Sequence, residues 1–333
     1  MSPPLSLSAI ADARAALGGR LHLTPVLSSS RTSERAGVRV LLKAELFQRT
    51  GSFKPRGAFA RLLQLSPEER GRGVIAASSG NHAQALAYCA RALGIDCFAI
   101  MWQGASRYKI AAVRSYGAHV DLEAANGAEA LERANELAKR TGRVLVHAYD
   151  DYGVMAGQGT VGLEILEQTN KPDAVLVPVS GGGLLAGVGT AIKAIHPETR
   201  VIAVEPTASP SLSRALEAGH PVQTPEDSIA DGLAAPEIGE RCLRVIQRVI
   251  DDVVSVSDVE ISDATRWLYQ ATKLACEPAG AATTAALLAR RPAIEPNHTA
   301  VAIVSGGNID PEKLARVIAS PAPAYEPDVA EQT

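Results

Sequence analysis

Short runs of apolar and β-branched residues alternate with helical patterns along most of this chain. Strands that are apolar throughout are buried on both faces, and strands that alternate with helices pair in parallel. The alternation therefore predicts an α/β fold, in which helices cover open parallel sheets. The helical patterns include 82–93, which ends before Gly94, and 127–140. The predicted strands are 38–42, 73–77, 96–101, 119–122, 144–148, 174–179, 201–204, 253–256 and 299–304.

The order of these patterns predicts two domains, which a chain of 333 residues is long enough to form. Residues 73–148 contain successive strand–helix units that suffice for a small sheet of their own. The flanking segments must then combine, so we expect a discontinuous large domain of residues 1–72 and 149–320 around a small domain of residues 73–148. The last segment, 321–333, is rich in proline and acidic residues and is expected to be a flexible tail.

Charge and cysteine content exclude several classes of function. A net charge of -3 gives no electrostatic reason to expect nucleic acid or an acidic membrane as partner. The four cysteines lie far apart without a Cys-x-x-Cys pair, so neither a disulfide framework nor a zinc site is predicted. The sequence shows no signal-peptide pattern and no apolar run long enough to cross a bilayer. We therefore expect a cytoplasmic protein that binds neither nucleic acid nor membrane.

Lys54, within Ser-Phe-Lys-Pro-Arg-Gly-Ala, is the candidate for covalent chemistry. Pro55 favours a first helical turn and Thr50 or Ser52 can cap it, so Lys54 is predicted where a turn becomes a helix. Partial burial beside Arg56 would disfavour the charged ammonium, and a neutral amine can attack an aldehyde carbon. A solvated lysine in a first helical turn is the alternative, which this run alone does not exclude.

Three glycine-bearing segments are candidates for binding sites. Residues 78–82, Ser-Ser-Gly-Asn-His, open a helix whose free N–H groups suit a carboxylate or phosphate, although an ordinary capped helix is equally compatible. Residues 180–187 follow a strand, and their three consecutive glycines allow backbone amides to converge on one anion. Residues 305–308, Ser-Gly-Gly-Asn, follow the strand 299–304 at the edge where α/β proteins bind ligands.

The second of these segments also has an alternative interpretation. Residues 181–186 match a dinucleotide fingerprint, and Glu205 stands near the position of a ribose-binding acid. A nicotinamide-dependent oxidoreductase is therefore an alternative function, although it leaves Lys54 and Ser305 without a use. A similar run at 157–162 lacks a clear preceding strand, and we interpret it as helix packing or chance.

Taken together and in this order, the lysine run, Ser-Ser-Gly-Asn-His, the triple glycine and Ser-Gly-Gly-Asn resemble the threonine/serine dehydratase and serine racemase group of pyridoxal-phosphate enzymes. The likeness extends from about Pro25 to Asp310 and includes motifs at 156–160, 229–232 and 277–280. It implies the tryptophan-synthase-β-like fold (fold type II), pyridoxal 5'-phosphate as cofactor, a small amino acid as substrate and a homodimer.

The resemblance implies a role for each motif. Lys54 would hold the cofactor as a Schiff base, and Ser79 would be the acid/base on the opposite face. Asn81 would contact the ring hydroxyl, Phe53 would pack on the ring, and Ser305 would face the pyridine nitrogen. The phosphate would bind to the amides of Gly181, Gly182, Gly183 and Leu184. The substrate carboxylate would bind in the loop formed by Ser78, Ser79, Gly80, Asn81 and His82.

The implied activity is that of an ammonia-lyase, or dehydratase. Such an enzyme converts L-threonine, L-serine or a related 3-hydroxy amino acid, such as 3-hydroxyaspartate, to a 2-oxo acid and ammonia. An amino-acid racemase is the alternative within the same chemistry, because Ser79 permits both activities. A binding module for amino acids, without catalysis, is the third alternative.

Three positions have no settled role from the sequence. In racemase-like members of the group a divalent cation is held by a glutamate, a carbonyl and an aspartate. Glu205 and Ser209 match the first two, but Ser211 replaces the aspartate, so no metal site is predicted. Trp102 stands in a stretch that lacks the usual prolines and has no assigned role. Glu277 precedes a proline in a motif of the group and either lies near the cofactor or serves the core or a helix cap.

Overall fold

The computed structural model describes residues 5–319, which form two β-sheets flanked by helices, as the predicted α/β class requires. The predicted tail, 321–333, lies outside the described residues. The strands are β1 Val26–Ser28, β2 Arg39–Ala44, β3 Val74–Ala77, β4 Cys97–Trp102, β5 His119–Ala124, β6 Val144–Leu145, β7 Ala174–Pro178, β8 Arg200–Pro206, β9 Asp252–Val256 and β10 Thr299–Val304. The α-helices are α1 Leu7–Leu17, α2 Ser30–Ala36, α3 Lys54–Leu63, α4 Pro67–Arg72, α5 Asn81–Ala92, α6 Arg107–Ser115, α7 Gly127–Thr141, α8 Tyr152–Thr169, α9 Gly183–Ile195, α10 Ser211–Ala218, α11 Glu240–Ile246, α12 Asp258–Thr272, α13 Pro278–Leu288 and α14 Pro311–Ala319.

The larger sheet has six strands in the order β1-β2-β10-β7-β8-β9. All neighbours are parallel except β1, which pairs antiparallel to β2. The central strand β10 pairs with β2 on one side, with Thr299 opposite Arg39, and with β7 on the other, with Ala300 opposite Ala174. Apolar clusters cover both faces of this sheet, which explains why its strands are apolar throughout.

The smaller sheet has four parallel strands in the order β5-β4-β3-β6. These strands lie in the chain between β2 and β7, so the larger sheet is assembled from two separate segments. Trp102, at the end of β4, lies with Ile100 on the face that α7 covers, and its ring approaches Gly127. The Trp102 side chain therefore belongs to the core of the smaller sheet. The domain boundaries at 73–148 stay a prediction.

The sequence prediction differs from the structure at two strands. The three-residue strand β1, at the edge of the larger sheet, was not predicted, because it is too short to show a periodic pattern. The strand predicted for 144–148 ends at Leu145. The chain then turns, and the N–H groups of Tyr149 and Asp150 donate to Nδ1 of His147.

Helix α3, which begins with Lys54, is held against α8 by contacts between their backbones. A Cβ atom on Gly57 would lie 2.8 Å from the carbonyl oxygen of Val154, and one on Gly157 would overlap the backbone of Arg56. Glycine is therefore required where the two helices cross. The interpretation of the run at 157–162 as helix packing is confirmed.

A cluster of buried charges ties α3 to its neighbours, and we call Lys43, Glu45, Arg56 and Glu164 the Arg56 cluster. Arg56 forms two 2.8 Å hydrogen bonds to Glu45 and bonds of 2.6 and 2.8 Å to Glu164. Lys43 Nζ donates to Glu164 Oε2 at 2.6 Å. Burial opposes these charges, but Glu45 and Glu164 raise the pKa of the Arg56 guanidinium above its usual range. The expectation that Arg56 lowers the pKa of Lys54 is wrong, because its guanidinium is engaged by these two carboxylates.

Candidate active site

The Lys54 helix begins without the side-chain caps that the sequence suggested. Phe53 occupies the N-cap position with φ -61° and ψ -18°, and no side chain caps the helix. The hydroxyl groups of Thr50 and Ser52 are buried and have no hydrogen-bond partner among residues 5–319. Ser52 instead forms an isolated bridge with Gly306, which brings the end of β10 against the start of α3. The capping prediction is therefore wrong.

The Lys54 amine lies in a largely apolar setting. Its Nζ donates to the carbonyl oxygen of Ala148 at 3.0 Å and lies 5.1 Å from the centroid of the Phe53 ring. Burial lowers the pKa of Lys54 to about 8, although the nearby Cys242 and Glu277 act in the opposite direction. Since no carboxylate of the described chain pairs with this amine, a substantial fraction is neutral near pH 8.

The triple-glycine segment forms the start of α9. Gly182 is the N-cap residue with φ +97°, and no side chain caps the helix. Within residues 5–319, no group accepts a hydrogen bond from the N–H groups of 181–184. The ring of Tyr149 lies against Gly181, and a Cβ on Gly182 would come within 2.8 Å of the Cys242 Cβ. These free donors at the positive end of a helix suit a dianionic phosphate.

Residues 78–82 comprise the turn between β3 and α5 and the first two residues of that helix. The Oγ of Ser79 accepts a hydrogen bond from the N–H of Trp102 at 3.0 Å, and the Oγ of Ser78 accepts one from Gly80 at 3.2 Å. Ser79 is buried, whereas Gly80, the N-cap residue of α5, offers no side chain to the helix. The first N–H groups of α5 are therefore left to bind an anion such as a carboxylate.

His82, the second residue of α5, is buried and neutral. Its Nε2 lies 2.8 Å from the carbonyl oxygen of Val146, which can only accept, so Nε2 carries the proton. Burial, assisted by the charge of Lys54, lowers the pKa of His82 to about 3. His82 can therefore position this turn, but it cannot supply a positive charge near neutral pH.

Side chains from three segments meet at the end of β10, in what we call the Asn81 network: Asn308, Asn81 and Glu277. Asn308 Nδ2 donates to Asn81 Oδ1 at 2.6 Å and to the carbonyl oxygen of Thr50 at 2.7 Å. Asn81 Nδ2 donates to Glu277 Oε1 at 2.6 Å. Glu277 precedes α13 at its N-cap position but does not cap it with its side chain. The network therefore links the turn 78–82 to the segment that follows β10.

Ser305 is buried directly after β10. Its carbonyl oxygen accepts a hydrogen bond from the N–H of Phe53 at 3.1 Å, next to Lys54. Its hydroxyl has only a long contact of 3.5 Å with the carbonyl oxygen of Ala279. This hydroxyl is therefore free to meet a further polar group beside the Lys54 helix.

The carboxyl of Glu205, which the dinucleotide fingerprint would assign to a ribose, is engaged within the protein. Its Oε2 accepts from the N–H of Leu212 at 2.9 Å, and its Oε1 accepts from the N–H and hydroxyl of Ser213. The carboxyl thus serves the start of α10. Within residues 5–319 no group of three or more histidine, cysteine or acidic side chains could hold a metal ion, and the prediction of no metal site stays untested.

Three features of the site were missed by reasoning from the sequence. The Lys54 amine contacts a backbone carbonyl, that of Ala148, which leaves no side-chain signal. Tyr149 reaches the triple glycine from a loop without a motif. The backbone of Trp102 binds Ser79 across two strands of the smaller sheet. Asn308 lies in the Ser-Gly-Gly-Asn motif, but the sequence does not show that its partner is the Asn81 amide.

Comparisons with known proteins show which family this chain resembles. The model of a family described as pyridoxal-phosphate dependent enzymes matches residues 20–306. An L-threonine ammonia-lyase of Thermotoga maritima is 41% identical over 316 residues, which cover 94% of this chain and 78% of that protein. A phenylserine dehydratase of Ralstonia pickettii is 41% identical over 311 residues, which cover 93% of this chain and 95% of that protein. The structure of maize serine racemase superposes with a TM-score of 0.89 and 35% identity, and covers 94% of this chain and 97% of the other.

Proposed function

Since the chain belongs to the family of pyridoxal-phosphate-dependent enzymes, we propose that it is an ammonia-lyase, or dehydratase, for 3-hydroxy amino acids. The resemblance to the threonine/serine dehydratase and serine racemase group is confirmed, as are the type II fold and pyridoxal 5'-phosphate as cofactor. Because the chain belongs to a pyridoxal-phosphate-dependent family, the nicotinamide alternative loses its support. The observation that carries the proposal is the Lys54 amine, with its lowered pKa and no acidic partner.

The residues present fit the cofactor. The free N–H groups of 181–184 would hold its phosphate, because they combine the helix dipole with unpaired donors. Lys54 would hold its aldehyde carbon, and Phe53 would cover the ring. Asn81 would donate to the ring hydroxyl, and the buried Ser305 hydroxyl would meet the pyridine nitrogen. When bound, the cofactor supplies an electron sink that stabilises negative charge at the substrate Cα.

The chain itself contributes binding and proton transfer. The free N–H groups at the start of α5 would bind the substrate carboxylate and orient its Cα–H bond. The Lys54 amine, once released from the aldehyde carbon, would take the Cα proton at Nζ, because its low pKa leaves it partly neutral. Loss of the β-hydroxyl as water and later hydrolysis give a 2-oxo acid and ammonia. L-threonine would thus yield 2-oxobutanoate, and L-serine pyruvate.

The racemase alternative depends on Ser79. Its hydroxyl accepts from the N–H of Trp102 and keeps its own proton for donation. A proton delivered from Ser79 Oγ to the opposite face of Cα would produce the other enantiomer. We propose the lyase as the main activity, because the relative from Thermotoga maritima is named an L-threonine ammonia-lyase.

A panel of substrates tests this function. L-threonine, L-serine and 3-hydroxyaspartate are supplied to the holoenzyme, and both the 2-oxo acid and the opposite enantiomer are measured. We expect the 2-oxo acid to be the main product of wild-type protein and to be absent with Lys54→Ala. The Ser79→Ala variant is expected to lose formation of the enantiomer while it continues to form the 2-oxo acid. Formation of the enantiomer alone by wild-type enzyme would favour the racemase.

A homodimer and a cytoplasmic location are proposals as well. Leu23 and Phe47 are 65% and 49% exposed, and their neighbours His22 and Gln48 exchange hydrogen bonds. Two large apolar side chains are thus exposed in segments that hydrogen bonds join, and exposed apolar surface is a feature of protein interfaces. No helix within residues 5–319 is long and apolar enough to span a membrane. Sedimentation of wild-type and Phe47→Glu proteins tests the dimer, which the charged variant is expected to weaken.

A further inference from the structure

Glu277 is a buried carboxyl group in contact with Asn81 for which the proposed function gives no role. We propose that Glu277 is a positioning residue that acts through Asn81. Glu277 Oε1 holds one N–H of the Asn81 amide, so that the other N–H of Asn81 is the one offered to the cofactor. The proton of the Glu277 carboxyl group resides on Oε2. This inference rests on the proposed function, because it concerns the residue that would meet the cofactor ring.

The direction of the Asn81 network is set by a backbone group. The carbonyl oxygen of Thr50 can only accept a hydrogen bond, so the group of Asn308 that lies 2.7 Å away must be its amide nitrogen. The same nitrogen lies 2.6 Å from the Asn81 amide, which therefore presents its oxygen there. The Asn81 nitrogen then faces Glu277 and donates to it. A 180° flip of either the Asn308 or the Asn81 amide group would break at least one of these hydrogen bonds.

This direction restricts what Asn81 can do. Its oxygen is occupied by Asn308, and one of its two N–H groups is occupied by Glu277. One N–H group remains, so Asn81 can donate one hydrogen bond to a ligand. A ring oxygen that carries negative charge is the partner that such a donor favours.

The proton of Glu277 has one available position. Oε1 accepts from Asn81, and Oε2 is buried without a hydrogen-bond partner among the described residues. The side chain reaches this position because residue 306 is glycine: a Cβ there would overlap Glu277 Oε1. A proton on Oε2 leaves the bond from Asn81 intact, whereas its loss leaves a buried negative charge with a single neutral donor.

Charged groups from several elements face Glu277. Burial raises its pKa to about 7, while Lys109 from α6 and Lys313 from α14 oppose that rise and Asp231 reinforces it. Lys109 is itself paired with Asp231 at 2.7 Å. The carboxyl also lies near the Cys276 thiol and favours the charged form of Lys54. Ionisation of Glu277 therefore strengthens the bond from Asn81 and changes the electrostatic field at the Lys54 nitrogen.

The test uses the visible absorbance of the cofactor bound to Lys54 in the holoenzyme, titrated from pH 6 to 9. We expect a transition near pH 7 in wild-type protein and none in Glu277→Gln, whose amide can accept from Asn81 but does not titrate. Glu277→Ala removes the acceptor of the Asn81 N–H group, and Asn308→Ala removes the donor to the Asn81 oxygen. Each is expected to weaken cofactor binding about tenfold, which is the loss of one hydrogen bond to a charged group. The double variant should be no weaker than either single variant, because both act on the same amide.

Glu260→Gln provides the matched control, since Glu260 accepts backbone and hydroxyl hydrogen bonds from Ser257 at the start of the adjacent helix α12. It should keep the wild-type transition. Persistence of the transition in Glu277→Gln would overturn the inference. So would a wild-type cofactor dissociation constant in folded Glu277→Ala, or additive losses in the double variant. An active, coloured wild-type enzyme with any of these results leaves the lyase function standing. A colourless, inactive wild-type protein overturns that function and this inference with it.

Discussion

Two buried polar regions adjoin helix α3, and they differ in how completely their groups are paired. In the Arg56 cluster two cations face two carboxylates through hydrogen bonds of 2.6 to 2.8 Å. Around Lys54 the amine donates to the carbonyl oxygen of Ala148 and meets no carboxylate within residues 5–319, and one oxygen atom of Glu277 has no hydrogen-bond partner there. Lys54 and Arg56 are only two residues apart in the chain. They lie in different regions because side chains at positions 54 and 56 leave a helix in different directions.

The pKa values follow this difference. Burial opposes ionisation in both regions. In the Arg56 cluster Arg56 and Lys43 outweigh it at Glu164 and lower the pKa of that carboxyl, although burial still lowers the pKa of Lys43 itself. Around Lys54 burial prevails, so the pKa of the amine falls and that of Glu277 rises toward neutrality. Complete pairing thus suits a group that fixes the structure, and incomplete pairing suits a group that exchanges protons.

The largest expected effect is at the unpaired lysine. Lys54→Ala should lower the rate of 2-oxo acid formation by more than about 10³-fold, because both the covalent link and the proton acceptor are lost. In cofactor-free protein the midpoint of unfolding in urea should fall only slightly, since no ion pair is broken and one hydrogen bond, to the carbonyl oxygen of Ala148, is lost. Turnover by the folded variant at a wild-type rate would mean that the region is not the catalytic one.

The next effect is at the paired arginine. Arg56→Met leaves Glu45 and Glu164 buried without their main partner and should lower the free energy of unfolding by about 3–5 kcal/mol. Denaturation in urea measures this loss. Arg56→Lys, which keeps the charge but not the forked geometry, should lose less. A stability equal to wild type in Arg56→Met would show that the pairing contributes nothing to the fold.

A third effect links Glu277 to stability and pH. Its pKa rises from 4.5 to about 7 on folding, so the folded protein holds this proton more tightly. The free energy of unfolding therefore falls as the pH rises from 4.5 to about 7, by about 3 kcal/mol from this group. In cofactor-free protein, Glu277→Gln should match wild type at pH 4.5 and exceed it at pH 8. If Glu277→Gln and wild type were equally stable at pH 4.5 and also at pH 8, the result would contradict the raised pKa of Glu277.

A smaller effect is expected where α3 crosses α8. Gly57→Ala places a Cβ against Gln158 and Val154 and should cost about 1–3 kcal/mol, as over-packing does elsewhere. It should also weaken cofactor binding, because α3 carries Lys54. Gly71→Ala is the matched control, since a Cβ there meets no atom within 4 Å. If both variants lost the same stability and cofactor affinity, the close contact between α3 and α8 would not require glycine at position 57.

The smallest effect concerns the charge of Lys109. This residue lies near Glu277 and lowers its pKa. Lys109→Met should therefore move the absorbance transition of the holoenzyme upward, by less than about one pH unit for a partly screened charge. A shift of the transition to lower pH would contradict the expectation that the Lys109 charge lowers the pKa of Glu277. Lys139→Met, on α7 of the smaller sheet, should leave the transition where it is.

Reasoning from the sequence succeeded where the signal was local. The apolar strands, the helix starts after glycine and the polar residues that follow β10 all appear as short patterns. It failed where a group's partner is distant in the chain. The partners of Arg56 include Glu164, 108 residues away, and without them the guanidinium was assigned to the wrong region.

The start of α3 shows the same limit at short range. Thr50 and Ser52 have the composition of a helix cap, but the bridge between Ser52 and Gly306 holds the segment in another conformation. Thr50 has φ +60°, which is uncommon for a residue with a Cβ, and its carbonyl group faces Asn308. Tertiary contacts with the end of β10 decided this conformation, and no local pattern records them.

The position of β10 has a consequence for the growing chain. This strand joins β2 to β7, and Thr299 must find Arg39 across nearly the whole length already synthesised. A pairing this remote in sequence forms late, because the residues between the two strands must be synthesised first. Because Ser305 and Asn308 follow that strand, a nascent chain has no complete pocket for the vitamin-derived aldehyde until these residues have been synthesised and β10 has joined the sheet.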